Sequence, residues 1–309
     1  MRLVSRLTTE FALMNLRLSL RLVPGRLETS IVAQMLIRGA LPELAGPGLA
    51  GTHGAGGPAL PAGTPLVGSI SAVARAFGRP AETMRRHVQV LAGQGFFTVE
   101  HDGVRLAPSP EVGGRILAYL RDLHDNMLWL VEELGSWGLV TRQAPDGQEG
   151  TLLGSVLRTA LDLRMFGYES FRASIASWTS MSVWNTLSAV SVRHITVDRE
   201  LSGQLARRST PDALRRPTSL RALCAVTGLP YATVWRRLAA LEAEGKVSRR
   251  DGDYAMLTGQ LLTPEIEDRV AHYVRHTLDR VDALVARGLD PNAIPQLYFG
   301  NRPAPVPMR

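Results

Sequence analysis

The sequence predicts a mainly α fold with small β wings (an α+β fold), built from two repeated units that are each followed by a long packing helix. The first observation behind this prediction is a gapless internal repeat, in which residues 70–95 align with residues 220–245 at an offset of 150 positions. The second is a pair of Ser/Thr-Pro-Glu helix starts, at residues 109–111 and 263–265. The third is a strand–turn–strand pattern between each repeat and its long helix. Internal repeats matter because they identify the building unit of a chain.

Each copy of the repeat contains the same succession of local signals. A short helix is followed by a Gly-x-Pro turn, at residues 78–80 and 228–230, and then by a longer helix with arginines on its polar side. A glycine stop and a hairpin complete each unit, and Asp251-Gly252 favours a tight two-residue turn. This order is typical of a winged helix-turn-helix, whose usual partner is duplex DNA. We therefore predict two winged helix-turn-helix units, over residues 69–107 and 218–258.

A long helix is predicted after each wing. Ser109 and Thr263 each offer a capping hydroxyl, followed by proline at the first helical position and a glutamate that the helix dipole favours. The first helix, predicted over residues 110–135, carries an a/d heptad stripe from Ile116 to Leu134. The second, predicted over residues 264–288, carries a looser stripe. We expect these helices to pack together or against a second subunit, although ordinary core helices would show the same pattern.

The length of 309 residues allows about two domains at ~150 residues each. We divide the chain into a first unit with N-terminal helices, a helical connector, a second unit and a tail, over residues 1–140, 141–195, 196–290 and 291–309. The Gly/Pro-rich stretch at residues 45–65 is expected to be a flexible loop. Further helices are predicted over Leu27–Leu36, Thr151–Phe166, Glu169–Val190 and Asp198–Arg207. The aromatic residues of the connector favour a packed core, with a ligand pocket or a subunit contact as the alternatives.

The charge of the chain favours a polyanionic partner. A formal net charge of +7 and a pI near 10.2 indicate nucleic acid before membrane. Because arginine codons are also favoured in GC-rich genomes, the positions of the arginines have to carry the argument. The single cysteine, Cys224, excludes an intramolecular disulfide framework. No apolar run reaches the ~18–20 residues of a membrane span, and no secretory signal is evident, so we expect a cytoplasmic, nucleoid-associated protein.

The second unit is expected to be the stronger DNA reader. Val234, Leu238 and Leu241 recur with helical spacing and should face the core, which leaves the opposite side of the helix exposed. Arg236 is the first candidate for a base contact, because a bidentate arginine–guanine contact gives roughly 1–3 kcal/mol of discrimination. Thr233 and Arg237 are expected on phosphates. The candidate DNA-binding residues of this unit are Arg221, Tyr231, Thr233, Trp235, Arg236, Arg237, Arg249 and Arg250.

The first unit has the same pattern with different chemistry. Met84, Val88 and Leu91 take the core positions of its longer helix. Its candidate DNA-binding residues are Thr83, Arg85, Arg86, His87 and Arg105. Because its wing also carries Glu100 and Asp102, we expect weaker phosphate contact from this unit. A run of arginines before the second repeat should flank the DNA, a solvated charged surface being the alternative; it comprises Arg207, Arg208, Arg215, Arg216 and Arg221.

Residues Thr218–Leu257, with Gly-Leu-Pro-Tyr-Ala-Thr-Val-Trp-Arg-Arg and an Arg-Arg-Asp-Gly-Asp-Tyr wing, resemble the winged helix-turn-helix of bacterial IclR-type transcriptional regulators. The long helix after each wing is similar to the MarR-type organisation. This resemblance covers about forty residues per unit and implies a double-stranded DNA-binding regulator. The chain departs from both families, because no IclR-type effector domain follows the first unit and a MarR-type chain has one unit rather than two.

The sequence offers no positive support for catalysis. It contains no recognisable nucleophile elbow or paired-carboxylate motif, so we expect no enzyme activity and no cofactor. His272 and His276 stand four residues apart and could share a metal. Because no third ligand is evident, exposed helix residues are the favoured interpretation and no metal is expected.

The preferred hypothesis is a transcriptional regulator in which two fused winged helices form an intramolecular pseudo-dimer that reads two DNA half-sites. A homodimer through the long helices is a further expectation. One alternative is a protein-interaction adaptor of the chromosome-segregation type, which would not need arginines on its recognition helices. Another is a plasmid-type replication initiator, which the sequence separates poorly from a regulator. The sequence identifies no small-molecule effector, although a pocket near Tyr119, Trp129 and Tyr273 is a further expectation.

Overall fold

The computed structural model describes residues 1–45, 65–140, 151–175 and 177–307. Within these ranges the chain is mainly helical with two small antiparallel sheets, as the predicted α+β class requires. The helices are α1 (Arg2–Leu22), α2 (Leu27–Gly39), α3 (Leu41–Leu44), α4 (Ile70–Ala76), α5 (Ala81–Gly93), α6 (Pro110–Ser136), α7 (Leu152–Phe171), α8 (Trp178–Val197), α9 (Arg199–Gln204), α10 (Leu220–Thr227), α11 (Tyr231–Ala243), α12 (Thr258–Leu261) and α13 (Pro264–Ala286). The strands are β1 (Leu66–Gly68), β2 (Phe97–Glu100), β3 (Gly103–Leu106), β4 (Ser248–Arg250) and β5 (Asp253–Ala255).

Both long helices begin at the predicted caps. The Ser109 hydroxyl accepts a hydrogen bond from the Val112 amide at 3.4 Å, and the Thr263 hydroxyl accepts one from the Ile266 amide at the same distance. A proline follows each cap at the first helical position, where its missing N–H costs no hydrogen bond. Most of the Gly/Pro-rich loop predicted at residues 45–65 lies outside the described residues.

The helices of the predicted connector have different bounds from those expected. The break predicted near Gly167 is wrong, because α7 continues through this residue to Phe171. A glycine inside a helix costs about 1 kcal/mol relative to alanine. Here the Tyr273 ring of α13 lies 3.5 Å from the position that a Cβ of Gly167 would take, which is an ordinary van der Waals distance, so packing on α13 covers this part of α7. Helix α7 ends at Phe171 and α8 begins at Trp178, where the Ser177 hydroxyl caps it.

Four long helices, α1, α6, α7 and α13, contact one another in two pairs and across those pairs. Helix α1 packs against α6, and α7 packs against α13; in addition α6 contacts α7 and α13 contacts α1. The two long helices that follow the hairpins therefore have α1 and α7 as their main partners rather than each other. The heptad stripe of α6 is fully buried in this arrangement, at Leu120, Leu123, Met127 and Leu130. Since one chain already covers this stripe, a second subunit would have to use other residues.

The hydrophobic core is continuous across the predicted boundaries. Buried residues of α5, α7 and α11 belong to one apolar cluster. Helix α8 packs on α1 and also supports α10 and α11. The predicted connector thus supplies central core helices rather than a separate link. No helix in the described ranges combines the length and the apolarity that crossing a bilayer would need.

The tail after α13 folds back onto α6. The Asp125 carboxylate accepts hydrogen bonds from the amides of Phe299 and Gly300, both at 2.9 Å. Arg302 forms an ion pair with Glu132 at 2.6 Å. Val306 is buried. These contacts anchor the described part of the tail over the long helix.

Candidate nucleic-acid interface

The N-terminal helix–turn–helix segment consists of α4, a turn, α5 and the β2–β3 hairpin. The Ser69 hydroxyl caps α4 by accepting from the Ala72 amide at 3.1 Å. Gly78 takes the left-handed conformation, with φ +54°, which lets the chain turn sharply into α5. Strand β1, which the sequence did not predict, pairs with β3 and completes a sheet of order β1-β3-β2.

The C-terminal segment repeats this construction with α10, α11 and the β4–β5 hairpin. Ser219 caps α10, and Gly228 has a φ of +72° at the turn. Asp251 and Gly252 both have positive φ at the hairpin tip, as the predicted tight turn requires. A single bridge between Thr218 and Tyr254 occupies the place that β1 has in the N-terminal segment.

The exposed face of α5 carries arginines that its own carboxylate holds. Thr83, Arg85 and Arg86 are exposed, and the Arg86 side chain is 76% accessible. The Glu82 carboxylate accepts from the Nε of Arg85 at 2.8 Å and from the Nε of Arg86 at 3.1 Å. These hydrogen bonds lower the pKa of Glu82. One carboxylate therefore partly neutralises both arginines of this face.

His87 does not share that face. It is half-buried, and its Nδ1 lies 3.0 Å from the Thr29 hydroxyl of α2. Burial lowers the pKa of its imidazole. His87 is one of the candidate DNA contacts of the sequence, and it is half-buried because it falls three positions after Met84 and four before Leu91, beside the core stripe.

The N-terminal hairpin also neutralises its own cation. Arg105 forms ion pairs with Glu100, at 2.9 Å, and with Asp102. Both carboxylates lie on the same hairpin, so the positive charge of Arg105 is matched before any partner arrives.

The exposed face of α11 is different. Val234, Leu238 and Leu241 are buried, as predicted, and Tyr231 and Trp235 stand on the outer side with 63% and 49% of their surface accessible. Arg236 is exposed, and its Nε donates to the carbonyl of Ala232 in its own helix at 3.1 Å.

The remaining candidates of α11 lie at the margin of that face. Thr233 and Arg237 are half-buried. Among the described residues, neither Arg236 nor Arg237 has a carboxylate partner. This helix therefore presents cations that its own unit leaves uncompensated.

The C-terminal hairpin adds two further arginines. Arg249 is held between the Glu242 carboxylate, at 3.2 Å, and Tyr254, whose hydroxyl accepts at 2.8 Å and whose ring centre lies 4.7 Å from the guanidinium carbon. Arg250 is exposed next to the hairpin tip, and Arg221 is exposed on α10. The hairpin thus combines one oriented arginine with one that has no carboxylate partner in the described structure.

The run of arginines before α10 is only partly a surface patch. Arg207, Arg208, Arg216 and Arg221 are exposed as expected. Arg215 is buried, so its predicted place in a DNA-flanking patch is wrong. Its Nε lies 3.4 Å from the Thr258 hydroxyl, and Thr258 is itself fixed by hydrogen bonds to Asp212 at 2.6 Å. This local network draws the Arg215 side chain inward.

Two arginines that the sequence did not single out join each segment to the opposite half of the chain. Arg17 of α1 donates to the carbonyls of Ala225 and Val226, the latter at 3.3 Å, beside the turn at Gly228. Arg172, just after α7, donates to the carbonyl of Phe77 at 3.1 Å, beside the turn at Gly78. The two arginines are 155 positions apart, whereas the repeat offset is 150, so an alignment of the repeat does not pair them.

The other reactive side chains that the sequence singled out are a pair of histidines and the single cysteine. In the part of the chain that the structure describes, no group of three His, Cys, Asp or Glu side chains could hold a metal. His272 and His276 instead lie against the Phe166 ring, with centroids at 5.1 and 3.8 Å. Cys224 is half-buried, and burial raises the pKa of its thiol.

The function of this surface has to follow from its own geometry and charge. No protein-family model matches the chain, and neither a curated protein nor a solved structure matches it.

Proposed function

We propose that this chain is a sequence-specific double-stranded DNA-binding transcriptional regulator with two winged helix-turn-helix units. The observation that carries the proposal is the outer face of α11, where Arg236 and Arg237 have no carboxylate partner among the described residues, in the same segment as the two arginines of the β4–β5 hairpin. In winged helices the second helix enters the major groove and the hairpin approaches the backbone or minor groove. Arginine is the side chain best suited to guanine edges and phosphates.

We further propose that the two units act as an intramolecular pseudo-dimer. The support is reciprocal: Arg17 from the N-terminal half holds the α10–α11 turn, and Arg172 from the C-terminal half holds the α4–α5 turn. The long helices show the same pattern, in which each half of the chain contacts the other: α13 contacts α1, and α6 contacts α7. Such a frame would fix the spacing of α5 and α11, which a protein needs in order to read two half-sites at one separation.

The proposal is tested by selecting bound fragments from random duplex DNA with the native chain, Arg236→Ala and Arg86→Ala. We expect the native chain to select a bipartite motif, and each variant to lose preference in one half of it. Arg280→Ala, which removes an exposed arginine of α13 that belongs to neither segment, is the matched control and should select the native motif. Retention of the full motif by both Arg236→Ala and Arg86→Ala would contradict the proposal.

A second function is favoured by one observation. Tyr231 and Trp235 are large aromatic side chains that stand exposed on α11, and such residues are enriched in protein interfaces. A winged-helix adaptor that binds another protein would use them. The two functions differ in salt dependence, because phosphate contacts make log K fall steeply with log salt concentration. A slope near zero for complexes with DNA would favour the adaptor.

A further inference from the structure

The aromatic side chains lie inside the molecule, with two exceptions on one helix. The three that the sequence suggested for a pocket are buried or half-buried; of these, Tyr273 lines the cavity between α1, α7, α8 and α13, whereas Tyr119 and Trp129 do not. Among the described residues, the exposed aromatic side chains are Tyr231 and Trp235 of α11, which are 63% and 49% accessible. Two large rings left in water on one helix mark a contact surface.

Tyr231 and Trp235 form one stripe at the beginning of α11. They are four residues apart, so their side chains are neighbours on the same face of the helix. Pro230 precedes the helix and Tyr231 is its first residue, so both rings lie in the first two turns. In a helix-turn-helix, the N-terminal part of the second helix is the part that contacts base edges. The two rings therefore occupy the position from which the proposed reader would meet the bases.

The surroundings of this stripe are cationic. Arg236 follows Trp235 directly, and its Nε donates to the Ala232 carbonyl at 3.1 Å, which holds the guanidinium along the helix surface. The first turn of α11 contains no acidic residue, and Arg236 has no carboxylate partner among the described residues. An aromatic stripe bordered by an uncompensated cation is complementary to a polyanion that also presents apolar groups.

Thymine in duplex DNA meets both requirements. In the major groove it presents an oxygen acceptor and an apolar methyl group at C5, whereas guanine presents two acceptors and no methyl group. The phosphates that flank the base supply the negative charge. A methyl group that is buried against an aromatic ring gains hydrophobic free energy without any hydrogen bond, so the ring distinguishes thymine from cytosine.

The other copy of the repeat lacks the aromatic stripe. At the repeat offset of 150, Tyr231 aligns with Ala81 and Trp235 aligns with Arg85. Both of these residues are exposed on α5, and the Arg85 guanidinium is held by the Glu82 carboxylate at 2.8 Å. Of the two helices, α11 is therefore the one with a large apolar surface to offer to a methyl group.

We propose that Tyr231 and Trp235 read the 5-methyl groups of thymines in the half-site that α11 binds. Trp235, the larger ring, is the main specificity-determining residue, and Arg236 beside it reads a neighbouring guanine. This inference rests on the proposed DNA-binding function and names the base that the C-terminal unit selects. Contact with a protein is the alternative use of the same rings, and it predicts no sensitivity of DNA binding to a methyl group.

The test uses the duplex that the native chain selects, in which the half read by α11 is the one that Arg236→Ala degrades. Deoxyuridine replaces thymidine in one half at a time, which removes the methyl group and keeps every hydrogen-bonding group of the base. We expect affinity to fall about 4-fold for each contacted methyl group in the α11 half, as for one buried methylene, and to change little in the other half. Replacing a contacted T·A pair by 5-methylcytosine·G should weaken binding less than replacing it by C·G, because the methyl group is kept.

Variants of Trp235 separate methyl reading from a general loss of binding. Trp235→Ala should remove the difference in affinity between the thymidine and deoxyuridine duplexes. Trp235→Arg, which copies the residue of the N-terminal repeat, should also remove the difference while it still binds the duplex, which shows that the protein is folded. Arg250→Ala is the matched control, because losing a hairpin cation should weaken both duplexes equally and keep the native difference.

The possible failures of the inference and of the proposed function are distinguishable. The inference is overturned if the native chain selects a bipartite motif but binds the thymidine and deoxyuridine duplexes equally. It is also overturned if Trp235→Ala keeps the native difference. Either result leaves the proposed function standing and takes the rings out of base reading. If the native chain selects no motif at all, the proposed function and this inference are both contradicted.

Discussion

The N-terminal and C-terminal helix–turn–helix segments share one backbone plan, yet their arginines differ in whether carboxylates pair with them. In the N-terminal segment Glu82 holds Arg85 and Arg86, and two hairpin carboxylates hold Arg105. In the C-terminal segment Arg236 has no carboxylate partner in the described structure, and Arg249 is shared between Glu242 and Tyr254. The number of arginines on a surface is therefore a poor measure of the charge that it can offer to a polyanion.

The largest expected effect concerns α1 and α8, the central helices that pack together. Arg193 and Glu10 join α8 to α1 as a buried ion pair. Removing one partner of such a pair leaves an uncompensated buried charge and costs about 3–5 kcal/mol. We expect Arg193→Gln to lower the free energy of unfolding by that amount in urea titrations. Arg6→Gln is the matched comparison, because the buried Arg6 has no carboxylate partner in the described ranges and bonds to the carbonyls of Ser202 and Leu205 instead. This variant should cost far less, and equal losses would contradict the distinction.

The two turn glycines should differ in their tolerance of alanine. Both have positive φ, and an L-residue in that conformation costs roughly 1–2 kcal/mol. A Cβ at Gly78 would also overlap Nη1 of Arg172, whereas a Cβ at Gly228 would be in ordinary contact with Leu20 at 3.4 Å. We expect Gly78→Ala to be the more destabilising, because it also displaces the Arg172 hydrogen bond to Phe77. Chemical denaturation of both variants checks the order, and a larger loss for Gly228→Ala would be inconsistent with it.

Neutralising the carboxylate of α5 should strengthen the weaker segment. Glu82→Gln would release Arg85 and Arg86 from exposed ion pairs, which solvent screens and which therefore bind the arginines only weakly. We expect DNA affinity to rise by about 2–5-fold, with a steeper salt dependence. Glu242→Gln is the matched change in the other segment and should have less effect, because Tyr254 continues to hold Arg249. A fall in affinity for Glu82→Gln would show that Glu82 positions the arginines rather than masking them.

The smallest expected effect is a pH dependence to which, of the two helix–turn–helix segments, the N-terminal one contributes through His87. His194 and His276, whose pKa values burial also lowers, lie outside both segments and remain in the variant. Burial lowers the pKa of His87 from its ordinary value of 6.5, so the unfolded chain takes up the proton first as the pH falls. The stability contributed by neutral His87 is present above pH 6.5 and is lost as the pH falls towards the folded-state pKa. We expect His87→Gln to flatten the fall in stability below pH 6.5. The equivalent position of the repeat is Arg237, which does not titrate in this range. An unchanged pH profile would remove His87 as the cause.

The sequence predicted local structure well, but it predicted poorly which helices pack against each other. Caps such as Ser109 and Thr263, and core positions such as Val234, depend on neighbours within a few residues, and these were predicted correctly. The partners of the long helices were not, because the burial of the α6 stripe depends on α1, which lies about a hundred residues earlier in the chain. A periodic stripe shows that a helix is covered but not by which element.

The same limit applies to the candidate sites. The exposed positions on α5 and α11 followed from helical spacing, apart from His87 at the edge of the core stripe. The inward turn of Arg215 and the contacts of Arg17 and Arg172 depend on long-range packing, and no local pattern marks them.

The central claim is that the C-terminal segment is the stronger DNA reader, and one measurement tests it most directly. The affinities of the native chain, Arg236→Ala and Arg86→Ala for a single selected duplex are compared at fixed salt. We predict that Arg236→Ala weakens binding about 5–150-fold, corresponding to the loss of roughly 1–3 kcal/mol from a guanine contact, and that Arg86→Ala weakens it less. Equal losses in the two variants, or a larger loss in Arg86→Ala, would contradict the account.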